Sequence, residues 1–127
     1  MSALGSDKHL PQTAPIEAYG NGGFRFAGMS HRGSLLCLPD GIWAWPVGGV
    51  GDVTEQALAP VFARADAVDI FLLGCGRDLV PMPAALGVKF RALAISADPM
   101  STSAAVRTWN ILLAEGRRVA AGLIAVD

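Results

Sequence analysis

The second half of the chain alternates between short apolar runs and one strongly amphipathic helix. Residues 68–74 read Val-Asp-Ile-Phe-Leu-Leu-Gly, and from Ile70 onward both alternating sets of positions are apolar. This pattern is typical of a strand that is buried on both faces, as in a parallel sheet. Residues 92–96 and 119–126 have the same character. We therefore predict three buried strands in this half.

A helix over residues 101–115 is predicted between the last two of these strands. Ser101 or Thr102 is a suitable N-cap, and Gly116 supplies a left-handed stop at the C-terminus. The apolar stripe of the helix consists of Ala105, Val106, Trp109, Leu112 and Leu113. Strand, helix and strand make a β-α-β unit over residues 92–126.

Two shorter helices are expected before this unit. Residues 58–65 have helical spacing of their apolar side chains, but Pro60 must sit in the first turn because proline breaks a helix interior. Residues 54–57 should therefore be irregular or form a 3₁₀ turn. Residues 83–88 are predicted to form a brief helix that joins the first two buried strands.

The first half is predicted to be an antiparallel meander. Residues 24–27 alternate as a strand, and residues 30–33 have turn composition before the apolar residues 34–38. A second turn over residues 39–41 precedes the alternating residues 42–45, whose two tryptophans share one face and are expected in the core. The fold class is α/β, with mixed sheets packed against two or three helices.

Length and composition favour one domain. The chain has 127 residues, of which 52% are hydrophobic and only 17% charged, so a disordered chain is excluded. We predict a flexible tail over residues 1–15 and a single α/β domain over residues 16–127. The net charge of -1 supplies no field that would gather nucleic acid, and no nucleic-acid partner is expected.

The location is predicted to be cytoplasmic. The charge-free stretches are interrupted by Gly and Pro and fall short of a membrane-spanning helix. The first 15 residues carry charges where a signal peptide needs an apolar region. Cys37 and Cys75 lie 38 positions apart without a CxxC motif, which favours two reduced thiols.

A candidate ligand-binding site follows two of the predicted parallel strands. Gly74, Cys75 and Gly76 come directly after the first, and Met100, Ser101 and Thr102 follow the second. The carboxyl ends of parallel strands lie at one sheet edge, where α/β proteins bind ligands, so these residues should line a common concavity. Two structural alternatives stay open: a tight glycine turn, and a Ser or Thr that caps only its own helix.

No catalytic, metal or cofactor site is predicted. A dinucleotide fingerprint starting at Gly74 would need glycine at Leu79, and no phosphate-binding loop occurs. Neither histidine is near Cys75 in sequence, and the cysteines and histidines lack the spacing of zinc ligands. An inert Cys75 is favoured over a nucleophile.

The outer side of the helix over residues 101–115 is a candidate partner surface. Arg107 lies nearly opposite the apolar stripe, and Ile111 falls beside it. An apolar side chain on the solvent side of a helix favours contact with a partner, and we predict a homodimer through this mixed patch.

The chain resembles the family called domain of unknown function 498 (DUF498), whose fold is described as MTH-938-like. The resemblance covers residues 16–126. It is carried by Gly22-Gly23-Phe24-Arg25-Phe26 with Gly28, residues 31–39, Gly74-Cys75-Gly76, Met100-Ser101-Thr102 through Arg107-Thr108-Trp109-Asn110, and residues 115–121. The family includes the mitochondrial respiratory complex I assembly factor 3 group.

This resemblance implies an α/β fold with two sheets around helices and no established catalytic residue. Family members usually carry Gly-Thr-Gly where this chain has Gly74-Cys75-Gly76, which argues against thiol chemistry at Cys75. The function it implies is that of a non-enzymatic binding or assembly module with protein partners. The alternative is a small-molecule-binding protein or enzyme that uses the loops after residues 74 and 96.

Overall fold

A computed structural model describes residues 8–10 and 12–127. Over these residues the chain forms nine strands: Lys8–Leu10 (β1), Ile16–Gly20 (β2), Gly23–Phe26 (β3), Met29–Arg32 (β4), Ser34–Leu38 (β5), Gly41–Trp45 (β6), Ile70–Gly74 (β7), Ser96–Met100 (β8) and Val119–Leu123 (β9). The α-helices are Ala59–Phe62 (α1), Ala84–Ala92 (α2) and Thr102–Ala114 (α3), and 3₁₀ turns cover Val50–Asp52 and Ala65–Ala67.

The strands form two sheets. A six-stranded mixed sheet has the order β1-β6-β5-β9-β7-β8, and a three-stranded antiparallel sheet has the order β2-β3-β4. β7 is parallel to both of its neighbours, β8 and β9, as the apolar run at residues 70–74 predicted. The α/β class, the antiparallel meander and the mixed sheet packed with helices are confirmed.

The large sheet has a hydrophobic core on each face. Alternate residues of β5 enter opposite cores, Leu36 and Leu38 on one side and Leu35 and Cys37 on the other. The first core lies under α1 and α2 and includes both tryptophans of β6. The second lies under α3 and the small sheet, and Trp109 is fully buried in it. α3 and β2 are therefore neighbours on one side of the large sheet.

Two strand predictions were wrong. Residues 92–96 do not form the second parallel strand, because α2 continues to Ala92 and β8 begins at Ser96. The run Ala-Leu-Ala-Ile suits either a helix end or a strand. Phe90, in the last turn of α2, is buried, and its ring centroid lies 5.1 Å from that of Phe71 and 5.0 Å from that of Phe62. β8 tolerates Pro99 because it is an edge strand.

The first hairpin was also placed wrongly. β3 turns at Ala27 and Gly28, which have φ of 50° and 74°, and pairs with β4 rather than with β5. Residues 30–32 are strand, and Gly33, at φ 101°, leads the chain from the small sheet into the large one. A two-residue turn with positive φ at both positions matches the twist of a hairpin, and Ala-Gly is a weak sequence signal for it.

The chain before residue 16 is not simply a tail. β1 pairs with β6, and the carbonyl of Ala14 accepts a hydrogen bond from Trp109 Nε1 at 3.1 Å. The flexible-tail prediction is therefore corrected at residues 8–10 and 14, whereas residues 1–7 and 11 lie outside the described part. Among the described helices, none has both the length and the apolar character needed to cross a lipid bilayer.

Candidate functional site

The loops after β7 and β8 meet at one edge of the large sheet. Gly74 pairs with Met100, and the N–H of Cys75 donates to the carbonyl of Met100 at 2.7 Å. The N–H of Thr102 donates to the carbonyl of Gly76 at 2.8 Å. The structure thus brings the six predicted ligand-binding residues together, although β8 itself contains Met100.

The Thr102 hydroxyl is the centre of this junction. It accepts a hydrogen bond from the N–H of Gly76 at 2.9 Å and donates to the carbonyl of Ile124 at 2.6 Å, and Thr102 is fully buried. Ser101 caps α3, with Oγ accepting from the N–H of Ala104 at 3.2 Å. These contacts connect the ends of β7 and β9 to the first turn of α3.

The two glycines of the junction differ in their surroundings. A Cβ at Gly74 would lie 3.1 Å from Thr102 Cα and 3.2 Å from Ala105 Cβ, so glycine permits close packing of α3 on β7. Gly76 has φ of 105°, and a Cβ there would have no heavy atom within 4 Å. The ligand-binding role of this junction stays a prediction.

The two cysteines are buried thiols. Cys75 Sγ is 3.4 Å from the carbonyl oxygen of Val80 and 3.6 Å from that of Leu73. Cys37 is fully buried in β5, and burial raises the pKa of its thiol well above the ordinary range. Within the described residues, no group of three or more His, Cys, Asp or Glu has the arrangement of a metal site.

A groove of about 550 Å³ lies between the edge strand β2 and α3. One wall is the consecutive run of residues 16–19 of β2. The other wall consists of Ser103, Val106, Arg107 and Asn110, which follow helical spacing and so share one face of α3. A strand edge and a helix face thus form its two sides.

Asn110 closes one end of the groove. Its Oδ1 accepts from the N–H of Ile16 at 2.8 Å, and its Nδ2 donates to the carbonyl of Ile16 at 2.9 Å. The carboxamide therefore pairs with β2 as a neighbouring strand would. Sequence reasoning missed this role, because Ile16 and Asn110 are 94 positions apart and only the fold brings them together.

The predicted partner surface is exposed. Arg107 lines the groove, and Ile111 lies one helical turn later with 52% of its surface accessible. Tyr19, on the opposite wall, is 42% accessible. The exposure of Arg107 and Ile111 agrees with the prediction for the outer side of α3. That a partner protein covers this side stays a prediction.

A second concavity, of about 450 Å³, lies at the hairpins of the small sheet. Its polar lining includes Arg25, Ser30 and Arg32, and it meets the groove at Ala18 and Tyr19, which line both. Arg25 donates to Ser30 Oγ at 3.3 Å. Neither Arg25 nor Arg32 was predicted as a site residue from the sequence.

A third concavity, of about 360 Å³, lies at the other end of α3 beside Leu113 and Arg118. Arg118 donates from Nε and Nη2 to the two carboxylate oxygens of Asp69 at 3.0 and 2.8 Å. These hydrogen bonds, together with the charge of Arg118, lower the pKa of Asp69. The pair is exposed and links the start of β7 to the segment before β9.

Comparison with known proteins agrees with this architecture. The family model described as a protein of unknown function (DUF498/DUF598) matches residues 16–124. An uncharacterized protein of Rhodobacter capsulatus is 44% identical over 110 residues, which are 87% of this chain and 83% of that protein. The mouse NADH dehydrogenase [ubiquinone] 1 alpha subcomplex assembly factor 3 is 28% identical over 115 residues. This match covers 91% of the present chain but only 62% of the mouse factor.

Solved structures share the fold. A crystal structure described as an outer membrane protein from Bartonella henselae has a TM-score of 0.90 and 50% identity, with 94% of this chain and all of the other covered. A Bordetella pertussis protein described as a Mth938-like domain has a TM-score of 0.76 and 25% identity, covering 87% of this chain and 85% of the other.

The fold and the groove define a single-domain mixed α/β protein that presents an edge strand beside a helix. The chain belongs to the DUF498 family, which confirms the resemblance identified from its sequence motifs. It is related to the complex I assembly factor 3 proteins.

Proposed function

We propose that the protein is a non-enzymatic protein-binding module that acts in the assembly of a larger complex. The observation that carries this proposal is the exposed side of α3, where Ile111 stands in solvent beside Arg107. An apolar side chain that stands exposed beside an arginine offers area that a protein contact can bury. The relationship to assembly factors supports the same conclusion, although the chain corresponds to only part of their length.

Affinity capture from the native organism tests this function. The wild-type protein is compared with Ile111→Asp and with Val88→Asp, which changes an equally exposed apolar residue on α2. We expect proteins that are reproducibly enriched by the wild type and by Val88→Asp, and that are lost with Ile111→Asp. Equal capture by all three proteins would contradict the proposed surface.

The same patch is proposed to form a homodimer. Sedimentation at micromolar concentration should give a dimer for the wild type and a monomer for Ile111→Asp, because an aspartate would be placed in an apolar contact. A wild-type monomer at this concentration would contradict the proposed homodimer.

A cytoplasmic location without a nucleic-acid partner completes the proposal. It is supported by two reduced, buried cysteines and by the net charge of -1. Cell fractionation should recover the protein with soluble markers. Recovery with the outer membrane, the description carried by the Bartonella henselae relative, would contradict it.

A small-molecule-binding protein or enzyme at the β7–β8 edge is the second candidate function. The open space where a Gly76 side chain would project favours it. A thermal-shift screen with metabolites separates the two functions, since a ligand at 100 times its Kd adds about 2.7 kcal/mol of stability. A metabolite that gives such a shift in the wild type and not in Gly76→Val would favour the small-molecule function.

A further inference from the structure

The outer edge of β2 carries backbone groups that face the groove. Asn21 and Gly22 form a two-residue turn with φ of 52° and 79°, so Gly20 and Gly23 are the closing hydrogen-bonded pair of the hairpin. Hydrogen-bonded and non-hydrogen-bonded pairs alternate along an antiparallel ladder. The N–H and C=O of Tyr19 therefore point away from β3, toward the groove.

Asn110 demonstrates that this edge accepts a neighbour. Its carboxamide makes both a donor and an acceptor bond with the backbone of Ile16, within the same groove. Further along the same edge, at Tyr19, no carboxamide of the described residues pairs with the backbone. Because Ile16 already pairs with Asn110, the free part of the edge is residues 17–19, which span about 7 Å and suit a short added strand of three or four residues.

The charges around β2 favour an acidic occupant. Arg107 lines the groove, and Arg25 and Arg32 line the adjoining concavity. Glu17 supplies the carboxylate in these linings, and its Oε1 lies 3.7 Å from Arg25 Nε. Neither Arg107 nor Arg32 has an ion pair with any residue in the described part of the chain. Two arginines without an ion pair in the described part of the chain, Arg107 and Arg32, thus flank β2 on a protein whose net charge is -1.

We propose that β2 binds an extended, acidic segment of a partner protein as an added strand between itself and α3. Its backbone pairs with Tyr19, and its carboxylates approach Arg107 on one side and Arg25 or Arg32 on the other. This proposal rests on the protein-binding function and names the chemistry of one partner.

A second copy of the chain fits this groove poorly. A two-fold symmetric pairing of β2 with β2 would bring two cationic surfaces together, because each copy contributes the same patch. Like charges that face each other across a strand pair are destabilising. The proposed homodimer uses the patch of Arg107 and Ile111 on α3 and needs no pairing of β2 with β2.

Selection from a phage-displayed library of random twelve-residue peptides provides the probe. We expect selected peptides that combine β-branched residues with at least two Asp or Glu. Their affinity should fall roughly ten-fold or more with Arg107→Glu, because a favourable charge pair becomes a repulsive one. Arg91→Glu makes the same charge change on the exposed side of α2 and should leave the affinity unchanged.

A charge exchange and a backbone measurement make the test specific. Replacing an acidic residue of the peptide by Lys should restore binding to Arg107→Glu. Hydrogen exchange at the Tyr19 amide should slow when the wild type binds the peptide, because that N–H becomes a donor to the added strand. Selected peptides that are neutral or basic, that bind Arg107→Glu and Arg91→Glu equally, or that leave the Tyr19 amide unprotected would overturn the proposal.

Failure here is distinguishable from failure of the protein-binding function. The capture experiment with Ile111→Asp does not use the groove, so a lost partner there supports protein binding whatever the peptides do. Peptides that bind without the charge dependence would leave protein binding intact and refute only the acidic added strand.

Discussion

Removal of the Thr102 hydroxyl should destabilise the fold strongly. Thr102→Val keeps the shape of the side chain but leaves the N–H of Gly76 and the carbonyl of Ile124 without their partner. Both groups belong to buried residues, and a buried polar group that loses its hydrogen bond costs about 1 to 3 kcal/mol. We expect the free energy of unfolding to fall by about 2 to 4 kcal/mol.

Urea denaturation followed by circular dichroism measures this change. With a slope of about 1.5 kcal/mol per molar urea, the midpoint should fall by roughly 1.3 to 2.7 M. Thr102→Ser keeps both hydrogen bonds and should lose only about 1 kcal/mol for its missing methyl group. Thr108→Val is the matched control, because its Oγ1 only donates to the Ala104 carbonyl within α3, and its effect should stay within about 0.5 kcal/mol. A midpoint for Thr102→Val within error of the Thr108→Val value would refute the role assigned to this hydroxyl.

Three further changes should alter stability in a defined direction. Gly122→Ala places a Cβ 2.5 Å from Trp45 Cη2 and should cost about 1 to 3 kcal/mol, whereas Gly51→Ala, with open space at its Cβ position, should show no steric penalty in the same urea titration. Asn110→Ala removes both bonds to Ile16 and should cost about 1 to 2 kcal/mol; an unchanged midpoint would contradict its role in holding β2. Burial raises the pKa of Cys37, so ionisation favours the unfolded chain above its unfolded pKa of about 8.5. Relative to Cys37→Ala, the wild type should therefore lose stability between about pH 8.5 and 10, by up to about 1.4 kcal/mol per pH unit, and parallel pH profiles would contradict this.

The sequence predicts the fold best where hydrophobic period and capping agree. In α3, the stripe through Trp109, the Ser101 cap and the stop at Gly116 all indicate one helix, and the structure confirms it. Gly74 and Met100 were expected at one sheet edge because the carboxyl ends of parallel strands lie at the same edge. In the structure the two residues pair directly. That expectation held even though β8 lies four residues later than predicted.

The sequence predicts less where tertiary contacts decide between local alternatives. Residues 92–96 suit both helix and strand, and only the packing of Phe90 and the edge position of β8 select the observed arrangement. The groove beside β2 depends on the pairing of Asn110 with Ile16, which no local pattern indicates. Arg107 and Ile111 could be assigned to the outer side of α3 from helical spacing, but the strand opposite Arg107 could not.

Site-specific photo-crosslinking in the native organism tests the protein-binding function most directly. A photoreactive amino acid is placed at Ile111, which is 52% exposed, and in a separate control at Val88, which is 56% exposed. We predict discrete crosslinked products at position 111 that contain a reproducible partner protein and are absent at position 88. The same weak, heterogeneous products at both positions would contradict a partner surface on α3.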